Sequence, residues 1–96
     1  MDKRLLLLND ADNVYVVCAS IPQGTQLATQ EGAVVLSQEL TLGHKIARHV
    51  IARGETVYKY GAPIGSATAD IAVGEHVHVH NLQSDYVAFT GHSEEG

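Results

Sequence analysis

A chain of 96 residues with 6 basic and 11 acidic side chains carries a formal net charge of −5. That excludes a sequence-independent nucleic-acid binder, which needs a basic stripe to displace counterions, and it disfavours an anionic membrane surface; a small anionic ligand stays compatible, because a local site can be positive on an acidic protein. The 45% hydrophobic content suits one globular domain, but with four Tyr, one Phe and no Trp the core must be Val, Ile, Leu and Ala, and so thin a core calls for a partner subunit or an attached domain.

Met1-Asp2-Lys3-Arg4 followed by the leucines at 5–8 has the outline of a leader. The apolar run stops at Asn9-Asp10, too short for a signal core or a membrane span, and the expectation is a cytoplasmic protein. Residues 5–8 and the β-branched, aromatic run 14–18 read as a hairpin across the turn-forming Asn9-Asp10-Ala11-Asp12-Asn13. Cys18, the single cysteine, ends a run of the sort that is buried. It leaves no intrachain disulfide and no cysteine-based zinc site, and it reads as a packed thiol.

The chain then repeats itself. Ile21-Pro22-Gln23-Gly24-Thr25-Gln26-Leu27, Ile51-Ala52-Arg53-Gly54-Glu55-Thr56-Val57 and Ile71-Ala72-Val73-Gly74-Glu75-His76-Val77 share one pattern: an aliphatic residue, glycine three positions on, a polar residue, then Leu or Val. It reads as strand, tight turn with glycine at positive φ, and strand. The spacing is uneven, which excludes a solenoid.

Residues 33–36 read as a strand after Gly32. Residues 40–47 read as a strand bent at Gly43 or a brief helical turn, with the β-branched content favouring the strand. Residues 56–60 read as a strand and Gly61-Ala62-Pro63-Ile64-Gly65 as the turn after it. Tyr58 and Tyr60 share a face by alternation and read as packing residues. No stretch keeps helical periodicity over three turns, so the fold expected is all-β, barrel-like, with short strands and glycine turns. The domain is placed at residues 1–82 and a tail at 83–96, in which Tyr86-Val87-Ala88-Phe89 reads as a further strand or a docking segment and residues 91–96 as disordered.

The chemical signal is concentrated in Gly74-Glu75-His76-Val77-His78-Val79-His80-Asn81, which holds half of the six histidines. Imidazoles at alternate positions between valines predict a strand with His76, His78 and His80 on one face and Val77 and Val79 toward the core. Neighbouring rings about 7 Å apart could converge on one ion or one anion. From spacing alone, a solvated edge strand is the stronger reading. No Walker or dinucleotide pattern occurs, and no local context marks a serine or cysteine nucleophile.

Three blocks together are more specific. Leu42-Gly43-His44-Lys45-Ile46-Ala47, residues 54–71 with Lys59-Tyr60-Gly61-Ala62-Pro63-Ile64-Gly65, and residues 74–82 with Val77-His78-Val79-His80-Asn81 closely resemble the small SAF (β-clip) domain of the altronate/galactarate dehydratase family, to which the small subunit of sulfolactate sulfo-lyase also belongs. The resemblance implies a β-clip fold, joined to or assembled with a large catalytic domain or subunit in an oligomer. It also implies a lyase reaction, loss of water or sulfite from a sugar acid or 2-hydroxy acid, with a divalent metal such as iron or manganese. Carried onto this sequence, the implied catalytic residues are His44, His78 and His80, with His78 and His80 as metal ligands and Lys45 and Asn81 for substrate binding. His76 falls where the family pattern is looser. Asn81 has an equal claim as a turn residue, and His49 and His92 receive no role. Two rival functions stay open: a stand-alone module that binds a carboxylated sugar, and a structural module that drives assembly.

Overall fold

The computed structural model describes residues 1–84. The segments 86–89 and 91–96 lie outside the described residues. Nine short strands and no helix occupy the described chain: β1 (Leu5–Leu6), β2 (Val14–Val17), β3 (Gln26–Thr29), β4 (Gly32–Val35), β5 (Lys45–Ala47), β6 (Thr56–Lys59), β7 (Ala62–Ala67), β8 (His76–Val77) and β9 (Leu82–Gln83). They form three antiparallel sheets, ordered β1-β2-β5-β8, β3-β4 and β6-β7-β9. The all-β expectation holds, as does the first hairpin, with Leu5 opposite Val17 and Leu6 opposite Val16. Among the described residues no helix is long and apolar enough to cross a membrane.

The repeated heptapeptide is the building device, and it occurs four times, not three. In each copy the residue after the glycine donates its N–H back across the turn: Thr25 to Pro22 (3.3 Å), His44 to Thr41 (3.2 Å), Glu55 to Ala52 (2.9 Å) and Glu75 to Ala72 (3.0 Å). The glycines have φ of 84°, 91°, 87° and 81°, a conformation other residues enter at a cost of about 1–2 kcal/mol. Residues 40–46 are therefore a fourth turn leading into β5, and not a strand bent at Gly43.

The copies pair off through reciprocal backbone bonds, Ile21 with Leu40 and Ile51 with Ile71. Residues 21–47 and 51–77 thus form two similar halves. In the first, Gly24 N–H reaches Leu36 O and Leu36 N–H reaches Thr25 O; in the second, Gly54 N–H reaches Ala67 O and Ala67 N–H reaches Glu55 O.

Each half has its own core. Ile21, Leu27, Leu40 and Ile46 pack with Leu5, Tyr15, Val17 and Leu36, while Ile51, Val57, Ile71 and Val77 pack with Val14, Ala47 and Ala67. The first and seventh residues of every copy are 0% exposed, so the heptapeptide is a device for burying two aliphatics around one turn. Each such burial contributes about 1.5–3 kcal/mol before entropy. β2 and β5 supply both cores: Tyr15 and Ile46 face one, Val14 and Ala47 the other.

Two local expectations are corrected. The segment from Gly61 to Gly65 is not a turn; Tyr60-Gly61 reverses the chain and β7 begins at Ala62. Pro63 is tolerated in that strand because its opposite number, Tyr58, gives its N–H to Asn13 Oδ1 (2.8 Å), and because the register shifts between Val57 and Tyr58. Tyr60, with φ 60°, is 70% exposed and does not pack.

The loop 9–13 does more than turn. The buried Asp12 carboxylate accepts the N–H groups of Tyr60 (2.9 Å) and Gly61 (2.7 Å), and Asn13 Nδ2 donates to Thr56 O (2.9 Å). Arg48 secures this loop by donating to Asp10 O and Asp12 O, and ties it to the first half through Gln30 and Glu31. Half-buried Cys18 directs its thiol at Lys3 O (3.4 Å), as a packed cysteine does.

Candidate functional site

The β5–β8 pairing builds the site. Lys45 lies opposite Val77 and Ile46 opposite His76, so antiparallel register brings His44 and Lys45 alongside residues 76–78. Sequence separation of some thirty positions is closed by one short ladder.

β8 ends at Val77, earlier than the alternation predicts. His78 to Asn81 is a reverse turn, closed by Asn81 N–H to His78 O (3.0 Å). The buried Asn81 side chain takes over the edge: Oδ1 accepts His78 N–H and Nδ2 donates to His76 O, both at 2.9 Å. These local bonds compete with strand extension, the usual behaviour of asparagine. Val79 consequently sits 80% exposed at the turn tip instead of in the core. Asn81 O then accepts Thr68 N–H (2.9 Å), and the chain enters β9 beside β7.

The rings nevertheless come together, and His44 joins them. His76 is the hub: its centroid is 4.7 Å from His44, 5.5 Å from His78 and 5.7 Å from His80, while His44 and His78 are 6.3 Å apart. The first three rings are nearly parallel, at 11–23°, and His80 is tilted by 42°. His78 and His80 are exposed; His44, Lys45 and His76 are partly buried. Gln38 Nε2 donates to His76 Nδ1 at 3.3 Å, which puts the proton of the neutral ring on Nε2, and Thr41 Oγ1 lies 3.3 Å from His44 Nε2. His44 Nδ1 and His76 Nε2 are buried without a hydrogen-bond partner among the described residues.

Burial pushes His76 down from the ordinary 6.5 to about 4, with the charges of His44, His78, His80 and Lys45 acting in the same direction. The hub ring is therefore neutral at pH 7. Burial also lowers Lys45, with Lys59 adding like-charge repulsion. The patch combines a hub imidazole that resists protonation with a half-buried lysine beside it, a setting that favours an anion.

A pH dependence follows. The unfolded ring binds its proton near 6.5 and the folded one only near 4, so its contribution to stability is complete above pH 6.5 and is lost as pH falls toward 4. Solvent screening of the partly exposed ring limits the loss to about 1 kcal/mol. Urea melts at pH 7 and 4.5, in the presence of a chelator, should show this loss in the wild type and a flatter profile in His76→Gln.

Among the described residues no three His, Cys, Asp or Glu side chains are placed to hold a metal ion. The imidazoles stack their faces instead of converging their nitrogens, and the pair His78 and His80 would fill only part of a coordination sphere. The donors of this chain alone do not fit the divalent ion that the resemblance implies. His49 lies apart, 3.8 Å from Glu31, and His92 is outside the described residues. Gln38 and Thr41 carried no assignment from sequence; Thr41 belongs to the turn that presents His44, whereas Gln38 has no local signal.

A module of short antiparallel strands, without helix among the described residues and displaying a stacked imidazole cluster beside a half-buried lysine, is thus the class that fold and site define. The chain belongs to the altronate/galactarate dehydratase SAF domain family, which matches residues 3–85, and the SAF domain is a β-clip fold. It is 47% identical over 74 residues to altronate dehydratase of Escherichia coli (strain K12), covering 77% of this chain and 15% of that protein. With altronate dehydratase of Bacillus subtilis (strain 168) it shares 35% over 83 residues, 86% of this chain and 17% of the relative. Against the (2R)-sulfolactate sulfo-lyase subunit alpha of Chromohalobacter salexigens it is 34% identical over 88 residues, covering 81% of this chain and 92% of that subunit. The chain therefore spans under a fifth of the altronate dehydratases it matches.

Proposed function

We propose that this chain is the small subunit or N-terminal domain of a metal-dependent lyase that eliminates water from a sugar acid such as altronate or galactarate, or sulfite from a 2-hydroxy acid such as sulfolactate. The observation that carries this reading is the imidazole cluster with Lys45, assembled from two turns onto one exposed edge. Elimination next to a carboxylate needs a base for the carbon-bound proton and an acid for the leaving group. His78 and His80, exposed at the edge of the stack, serve that proton traffic. Lys45 holds the substrate carboxylate as a point charge. His44 and His76 back the exposed rings, and Asn81, its amide spent on residues 76 and 78, fixes the turn that presents them. A larger polypeptide would close the site and supply the ligands of an iron or manganese ion.

Coexpression with a large dehydratase-like chain tests this. The pair is expected to copurify and to turn over one of altronate, galactarate or sulfolactate when ferrous or manganous ion is added, with neither chain active alone. Failure to copurify, together with tight binding of a sugar acid by the isolated chain, would leave a binding module and no lyase.

A further inference from the structure

Beyond the catalytic reading, the matching of the two halves exposes a strand position that one half fills and that no described residue fills in the other. In the second half, β7 gives one edge to β6 and the other to β9: Ser66 lies opposite Gln83, Ala67 opposite Leu82, and Thr68 N–H reaches Asn81 O. Its counterpart in the first half is β4, which among the described residues pairs with β3 alone. Leu36 exchanges its backbone bonds with Gly24 and Thr25, so by alternation Ala33 and Val35 direct their N–H and C=O groups outward.

Other strand edges in the described chain carry cover. Asn13 meets the outer edge of β6, Asn81 meets that of β8, and Asp2 N–H caps Ala28 O on β3. β1 and β9 are two residues each. β4 is four residues long, and no hydrogen bond from the described chain reaches the outer groups of Ala33 or Val35. Proteins blunt such edges with charge, proline or bulges. Here Gly32-Ala33-Val34-Val35-Leu36-Ser37-Gln38 has none of these, in a chain of net charge −5. A shallow cavity of about 270 Å³, lined by Val35, Ser37, Ala72, Val73, Gly74 and Glu75, lies at this edge, and the Val35 side chain is 66% exposed.

We infer that the outer edge of β4 pairs antiparallel with β4 of a second copy of this chain. The segment is self-complementary: about an axis at Val34, Ala33 of one copy faces Val35 of the other, and the same exchange repeats across the axis. The neutral run lets two acidic chains approach with no like charges opposed within the ladder, and Glu31 falls opposite Ser37 of the other copy. A foreign acidic or basic strand would gain nothing from a charge-free edge. The contact is small against the 1,200–2,000 Å² of a standard interface (about this range for stable complexes), so association is concentration-dependent.

Sedimentation of the 96-residue chain across a wide concentration range, with amide exchange at Ala33 and Val35, tests it. The wild type is expected to dimerise, with both amides protected only at high concentration. Val35→Pro, which deletes one outward N–H, and Val35→Lys, which charges an exposed position without touching the core, should each weaken association about tenfold or more. A monomer at all concentrations, undiminished association in both variants, or protection that arises only when a large dehydratase chain is added would overturn the inference.

Discussion

Replacing His78 and His80 together by alanine should lower turnover of the assembled lyase by about two to four orders of magnitude, the range set by loss of general acid–base catalysis. The module itself should keep its melting temperature, because both rings are exposed and the turn that carries them is held by Asn81 and by backbone bonds, not by imidazole. The comparison that gives this result meaning is His76→Ala. That ring is partly buried, bonded to Gln38, stacked against His44 and His78 and met by the tilted His80 ring, so its removal should disturb stability as well as rate. Turnover within a few-fold of wild type in the double variant, measured on the copurified complex, would leave the exposed rings idle and the module an assembly device.

Gly65→Ala should be the most damaging single methyl in the fold. Gly65 has φ 156°, and a Cβ there would sit 2.2 Å from the Gln83 carbonyl oxygen and 3.1 Å from Leu82 Cδ1. The obstacle is backbone, which cannot rotate away, so β9 must leave β7. A loss of about 3 kcal/mol or more is expected, from strained φ plus the broken ladder. Gly24→Ala supplies the control: its φ is 84° but nothing lies within 4 Å of the new methyl, and it should cost only about 1–2 kcal/mol. Because β9 follows directly on Asn81, displacing it should also loosen the His78–Asn81 turn. Urea denaturation of both variants, with imidazole chemical shifts as a second readout, checks the two effects together. Equal losses in the two variants would refute the steric argument.

How far these features could be read from sequence depends on whether their cause is local. The heptapeptide is local, and three copies stand out; the fourth, Leu40 to Ile46, differs only in reading Leu-Gly-Ile where the others read Ile-Gly-Leu or Ile-Gly-Val, and its bulky His44-Lys45 centre masks the same turn. The alternation from His76 to His80 mimics a strand, yet Asn81 ends it, because a side-chain amide three residues on offers the backbone nearer partners than a neighbouring strand does. Grouping His44 with His78 and His80 rested on the resemblance of their motifs; that His76 is the hub of the cluster was not legible, because it depends on the β5–β8 register. Asp12 and Asn13 read as turn residues since nothing nearby in the chain announces the hairpin at 56–61 that they bind. Long-range pairing of polar side chains to backbone leaves no periodic trace.

That β2 and β5 each present side chains to both cores, Tyr15, Val17 and Ile46 to one and Val14 and Ala47 to the other, makes them a party wall between two rooms. Neither room can be vacated while the wall stands, so the module should melt in one step despite its duplicated plan. Lys45 is mounted on that same wall and His44 on the turn that enters it, and any ligand gripping them would brace both sides at once.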